Sequence, residues 1–195
     1  MSLNNLKDMD KIVHLLKQDP MRVEALHCVK RLELPQCYIA AGFLRNLVWD
    51  ALHNKTKPTP LNDIDVVYFD DNEVDPNACF KHEAWLNTQM PQFNWQVRNQ
   101  ALMHHRNNDQ PYKSTLDAMS YWPEKETAVG ARVTANNNYE CVSAFGFESL
   151  FNGHISYNRK RPRSLFDQRV YAKNWLVLWP SLKVVYDNEK DSQDV

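Results

Sequence analysis

Hydrophobic positions along the chain fall into blocks whose period changes from helical to strand-like and back. Between Asn4 and Gln18, the residues Leu6, Met9, Ile12, Val13, Leu15 and Leu16 recur at spacings that make one apolar face of a helix. Asp19-Pro20 breaks that pattern, and Pro20 suits the first position of a second helix. This second helix runs to about Leu32, with Val23, Leu26, Val29 and Leu32 on one face, and Pro35 ends the helical region. The run from Cys37 to Ala41 is apolar, too short for a helix and bounded by a glycine, which reads as a buried strand. After Gly42, helical spacing returns in Leu44, Leu47, Val48 and Ala51. A loop from Asn54 to Asn62 carries Pro58 and Pro60, and Asp63 to Phe69 is a β-branched and aromatic strand.

The pattern continues with a helix from Asn77 to Thr88, whose inner face is expected to hold Phe80, Ala84, Trp85 and Thr88. It returns the chain for a third strand, Asn94 to Ala101. Ser114 to Pro123 reads as a capped helix stopped by its proline. Two β-rich runs, Ala128 to Val133 and Tyr139 to Ser143, flank Asn136-Asn137-Asn138, asparagines that tolerate positive φ, and predict a hairpin. Ala144 to Phe151 predicts a short helix entering Gly153. The run Leu165, Val170, Ala172, Trp175, Leu176 and Trp179 predicts one helix that Pro180 stops, before a last strand from Leu182 to Tyr186. Asp187 to Val195 is polar and without aromatics, which predicts a disordered tail. The fold class is therefore α+β (mixed α/β): a small mixed sheet with helices packed on it. The expected organisation is an N-terminal helical segment over 1–34, one domain over 35–186 and the tail over 187–195.

Composition narrows the function classes. With 43% hydrophobic and 24% charged residues among 195, the chain fits one globular domain or a core with a small appendage. A net charge of −1 supplies no overall attraction to nucleic acid or to an anionic membrane. RNA contact would need a local patch. The one markedly basic run, Ser156 to Arg169, offers Arg159, Lys160, Arg161 and Arg163 with Arg169, interleaved with Tyr157 and Phe166. Cys28, Cys37, Cys79 and Cys141 are widely spaced and read as reduced thiols. No apolar run approaches membrane-spanning length and no signal-peptide core opens the chain, so a cytoplasmic location is expected. A phosphate-binding G-x-x-x-x-G-K-S/T loop is absent, as is a nucleophile elbow. Adjacent His104 and His105 are expected to diverge and to make a poor metal site.

The chemistry that remains lies between Gly42 and Asp65. Alternate strand residues share a face, so Asp63 and Asp65 point the same way with backbones roughly 7 Å apart. Two such carboxylates can converge on a hard cation with ligand distances of about 2.0–2.1 Å, such as Mg²⁺. Without a cation, their mutual repulsion raises one pKa. Gly42 closes a strand and opens a helix, where a backbone without Cβ lets N–H groups approach a phosphate. Together the two halves point to a metal-plus-triphosphate site. Asp70, at the strand end, is a lesser candidate to assist it.

Ala40-Ala41-Gly42-Phe43-Leu44-Arg45-Asn46 followed by Asp63-Ile64-Asp65 resembles the nucleotidyltransferase signature of the polymerase-β superfamily. The well-known form is the VGGxVRD…DxD of tRNA CCA-adding enzymes. The likeness is closer to a bacterial group of nucleotidyltransferase-family proteins carrying AGFLRN…LNDxDVVYFD, and it covers about Cys37 to Val185. The resemblance implies a polymerase-β-type nucleotidyltransferase core over 35–186 and transfer of a nucleoside monophosphate from an NTP to an acceptor. It implies Mg²⁺, or Mn²⁺, on Asp63 and Asp65, and nucleotide contacts from Gly42, Phe43, Arg45 and Asn46. Ser114 to Pro123 resembles the segment that closes the core of CCA-adding enzymes, which adds Asp117 to the candidate nucleotide-binding residues. The chain departs from the pattern at three points. Asn46 stands where CCA-adding enzymes have Asp, and Pro111-Tyr112-Lys113 replaces their paired arginines. The third strand, where the superfamily commonly places a further carboxylate, holds Gln96, Arg98, Asn99 and Gln100 instead. Either two aspartates suffice, or an amide substitutes, or the chain is a catalytically inactive module that binds a nucleotide or RNA. Arg98 or Asn99 could also contact the substrate.

Overall fold

Ala40 and Asp65 lie side by side on neighbouring strands, and the sheet is built outward from that pairing. In the computed structural model, which describes residues 3–186, strand β1 (Tyr38–Ala40) runs antiparallel to β2 (Ile64–Tyr68), with Ala40 opposite Asp65. Strand β3 (Trp95–Asn99) lies parallel to β2 and places Gln96 beside Asp65. On the other side β1 pairs with β4 (Val129–Val133), and β4 forms a hairpin with β5 (Tyr139–Ser143). The order β3-β2-β1-β4-β5 is a mixed five-stranded sheet. The hairpin turn places Asn137 at φ 59°, the left-handed conformation that asparagine accepts.

Period-two patterning sends Ile39, Ile64, Val66, Tyr68, Trp95, Val97 and Ala131 into the main core. Helices α1 (Leu3–Lys17), α2 (Pro20–Lys30) and α3 (Gly42–Leu52) bury Ile12, Leu16, Leu26, Val29, Leu44, Val48 and Trp49 in the same cluster. The N-terminal helices therefore belong to the core of the sheet. The opposite face carries Tyr38, Ala40 and Val67, and α6 (Thr115–Met119) packs Met119 on them.

Three expected elements differ. In α4 (Ala78–Gln89), Phe80 is 54% exposed and Ala84 and Thr88 face solvent. Leu86 is the buried residue, with Met90 just beyond the helix, because β3 is an edge strand and α4 shields that edge. Glu83 of α4 accepts the Val97 N–H at 2.9 Å and also pairs with Arg98, so Arg98 serves the sheet edge. The helix expected over 144–151 shrinks to α7 (Glu148–Phe151), because Gly146 adopts φ 79°. The single helix expected up to Trp179 is two, α8 (Arg163–Ala172) and α9 (Trp175–Leu178), broken where Asn174 turns left-handed at φ 53°. The last strand, β7 (Lys183–Val185), pairs with β6 (His154–Ser156) in a separate two-stranded sheet. The third strand ends at Asn99, whose side chain caps α5 (Gln100–Asn107) at the Ala101 N–H. His104 and His105 on α5 stack, with ring centroids 3.8 Å apart, rather than diverging.

Candidate functional site

Strand β1 ends in a residue with an unusual backbone. Ala41 has φ 54° and ψ −123°, a conformation that costs a non-glycine residue on the order of 1–3 kcal/mol. It is held there from both sides: its N–H donates to Val129 O at 3.0 Å, and its carbonyl accepts from Arg45 N at 3.0 Å. The bend turns the chain directly into α3, so Gly42 and Phe43 begin a helix whose first amides have no intrahelical acceptor. Buried Arg22 braces this turn from α2, donating through Nε to Phe43 O at 2.9 Å.

The turn opens onto a cleft of about 350 Å³. It is lined by Gly42, Arg45 and Asn46 of α3, by Asp63 and Asp65, and by residues 59–62 of the preceding loop. Trp122, Arg169, Lys173 and Trp175 complete the lining, with the Trp175 ring 4.6 Å from the Arg45 guanidinium. A Cβ built on Gly42 would meet Arg45 Nη2 at 3.4 Å and Asn46 Nδ2 at 3.5 Å, ordinary contact distances. The fold alone therefore does not demand glycine there.

The aspartate pair is an electrostatic conflict. Burial pushes the Asp65 carboxyl up to about 6, with the neighbouring Asp63 charge adding to the rise. Arg45, Lys173 and Arg169 oppose it. Gln96 Nε2 lies 3.5 Å from Asp63 Oδ2, so an amide borders the pair where a third acid was sought. Among the described residues no three His, Cys, Asp or Glu side chains cluster as a metal site. The donor set still fits Mg²⁺. That ion is commonly held by one or two carboxylates together with substrate phosphates and water, and two hard oxygens beside an open cleft are such a set.

Arg45 is fixed within the fold. Its Nη1 donates to Thr127 Oγ1 at 2.7 Å and its Nη2 to Asn46 Oδ1 at 3.0 Å. The guanidinium lies 5.0 Å from the Trp49 ring and 4.6 Å from the Trp175 ring, and burial lowers its pKa to about 10. Asp50, which the sequence pattern did not single out, secures the rim. It accepts from Thr59 N at 2.7 Å, Thr59 Oγ1 at 2.6 Å and Trp179 Nε1 at 2.7 Å, joining the proline-rich loop and α9 to α3.

The structure thus brings Gly42, Arg45, Asn46, Asp63 and Asp65 to one cleft. The Phe43 side chain instead enters the main core, leaving only its backbone near the turn. Asp117 is outside the cleft lining: its carboxylate accepts Lys113 N at 2.8 Å while its own N–H donates to Ser114 Oγ, an exchange that caps α6. Asp70 accepts from Asn72 N in a turn, and Asn99 bonds Asp70 and Glu73. Residues of the basic run are engaged within the fold. Lys160 donates to Ser120 Oγ, Arg161 pairs with Asp109 through two nitrogens, and Arg163 lies 3.6 Å from Asp167. Lys173, Trp122 and Trp175 line the cleft without having stood out in the sequence. The signal that could have flagged Lys173 is its four-residue spacing from Arg169, which puts both on one helical face.

A family model described as "Nucleotidyltransferase" matches residues 27–184. No curated protein sequence matches the chain. Among solved structures, one whose title says that it "reveals a CCA-adding enzyme head domain" aligns with TM-score 0.80 and 28% identity, over 91% of this chain and 96% of that one. A CCA-adding enzyme in complex with CTP aligns with TM-score 0.58 and 12% identity, over 89% of this chain and 43% of that one. A tRNA-processing enzyme aligns with TM-score 0.50 and 14% identity, and the chain covers 44% of it. The chain spans less than half the length of these two larger enzymes. The polymerase-β-type core expected from the signature is the fold observed, a five-stranded mixed sheet that aligns along nearly its whole length with a CCA-adding head domain. With the family model spanning most of its residues, the chain belongs to the nucleotidyltransferase family.

Proposed function

We propose that the protein transfers a nucleoside monophosphate from an NTP to an acceptor oxygen and releases pyrophosphate. The observation that carries this reading is the convergence of the Asp63–Asp65 pair and the first turn of α3 on one cleft. Asp63 and Asp65 would hold Mg²⁺ or Mn²⁺. Bound there, such an ion offsets polyphosphate charge and lowers the pKa of an oxygen it ligates. The chain's own groups do the rest. The opening amides of α3 at Gly42 and Phe43 attract phosphate oxygens, aided by the positive end of the helix dipole. Arg45 keeps Asn46 and Thr127 in place and opposes the negative charge of Asp65. Trp122 and Trp175 line the same cleft and reduce the water within it.

The acceptor is the open half of the reaction. The similar structures are of a CCA-adding enzyme head domain and a tRNA-processing enzyme, which makes an RNA end one acceptor class. Contact with RNA through Arg159, Lys160, Arg161 and Arg163 would have to compete with the partners these residues have within the fold. Protein and small-molecule hydroxyls are the other classes. A second reading, a catalytically inactive module that binds nucleotide, is favoured by one observation: Gln96 occupies the third-strand position beside Asp65.

Calorimetric titration of Mg²⁺ with ATP, CTP, GTP and UTP into the wild type and the Asp63→Asn/Asp65→Asn variant tests the assigned site. Binding to the wild type and its loss in the variant is the expected result; equal affinity removes the site. Radiolabelled NTPs offered with tRNA, protein and small acceptors then separate the two readings. Product that disappears with the aspartate pair supports transfer, and nucleotide binding without any product supports the inactive module.

A further inference from the structure

Three cations oppose the negative charge on Asp65, and two of them are already committed. Arg45 is bonded to Thr127 and Asn46 and enclosed by two tryptophan rings. Arg169 donates to both oxygens of Glu124, at 2.6 Å and 3.2 Å, and that carboxylate is 1% exposed. Its charge is largely spent on a buried partner. Lys173 differs. It follows Arg169 by one turn, lines the same cleft and is exposed. Its ammonium makes no hydrogen bond and no ion pair within 4 Å among the described residues. The backbone beneath it is fixed, because Lys173 closes α8 with its N–H on the carbonyls of Arg169 and Tyr171. The arrangement is a flexible point charge on a rigid base, in the same open cleft as two carboxylates.

We propose that Lys173 is the positioning residue for the polyphosphate of the incoming nucleotide, binding phosphate oxygens from the end of α8 while the amides that open α3 bind others in the same cleft. The proposal rests on the nucleotidyltransferase reading above and deepens it. A lysine ammonium suits this task because it follows a phosphate without demanding one fixed planar geometry. Because it reads charge rather than base, Lys173 makes the length of the phosphate chain a determinant of binding. The committed arginines contribute less to that discrimination because each already has an internal partner.

Inorganic tripolyphosphate, pyrophosphate and orthophosphate, each with Mg²⁺, are titrated beside ATP into the wild type, Lys173→Gln and Lys173→Arg. The wild type is expected to prefer tripolyphosphate. Lys173→Gln should lose about tenfold in affinity for both ATP and tripolyphosphate, whereas Lys173→Arg should stay within about threefold of wild type. Melting temperatures should agree among the three proteins, since the side chain is exposed and unbonded. If the wild type binds ATP and Lys173→Gln binds both probes equally well, the role of Lys173 is overturned and the nucleotide site survives. If the wild type binds neither ATP nor tripolyphosphate, both the role and the site are overturned.

Discussion

At the scale of single residues, the informative position is Gly42. A methyl group there would sit at ordinary contact distance from Arg45 and Asn46, so the fold can accept it. Alanine is also the better helix former. Any selection for glycine must therefore come from what enters the cleft. Gly42→Ala should fold with an unchanged or slightly raised melting temperature, yet bind Mg²⁺-ATP about tenfold or more weakly, because the methyl group stands between the α3 amides and a phosphate. Thermal melts and calorimetry on the same preparation check both halves. A variant that binds ATP like the wild type would show that phosphates do not approach this turn. Ala41 makes the contrast clear. Its positive φ is a feature of the fold, fixed by bonds to β4 and α3, and was invisible in a sequence where alanine gives no hint of strain.

At the scale of elements, the cleft depends on how the 59–62 rim and α9 are tied to α3. Asp50 makes that tie, with three short hydrogen bonds from Thr59 and Trp179. Asp50→Ala should destabilise the protein by on the order of 3 kcal/mol, since it leaves buried donors on both partners unsatisfied. Chemical denaturation measures the loss, and a change below about 1 kcal/mol would show that solvent replaces the carboxylate. The same scale shows where sequence reading succeeds. The unit β1–α3–β2 was legible because a short apolar run, a glycine and a β-branched strand are local signals. That Asp63 and Asp65 share a face was expected from strand alternation, and their pairing with Gly42 from the order and spacing of this unit. The part of the lining that comes from α8 and α9 was not legible. The period of Leu165 to Trp179 hid the left-handed break at Asn174, which is a backbone event in a residue that tolerates it. Phe80 was expected inside because helical spacing favours it, but α4 covers a sheet edge and buries a narrower stripe.

For the whole molecule, the question is whether the N-terminal helices, expected as a helical segment over 1–34, unfold with the rest of the chain. Their buried residues Ile12, Leu16, Ala25 and Leu26 share one core cluster with Ile39, Trp49, Val97 and Trp179. Arg22 also reaches from α2 to the Phe43 carbonyl at the turn that opens the cleft. A chain joined in this way should unfold in one cooperative step. The six tryptophans provide a clean test, because none lies in α1 or α2. Tryptophan fluorescence therefore reports the sheet and the cleft, while far-ultraviolet circular dichroism includes the N-terminal helices. The two urea transitions should coincide. Leu16→Ala, which empties a fully buried position, should shift both together by about 2–5 kcal/mol. An early dichroism transition that leaves the fluorescence unchanged would separate the helices from the domain. It would also remove Arg22 as a brace of the α3 turn, and the backbone geometry at Ala41 would then have to be held by its bonds to β4 and α3 alone.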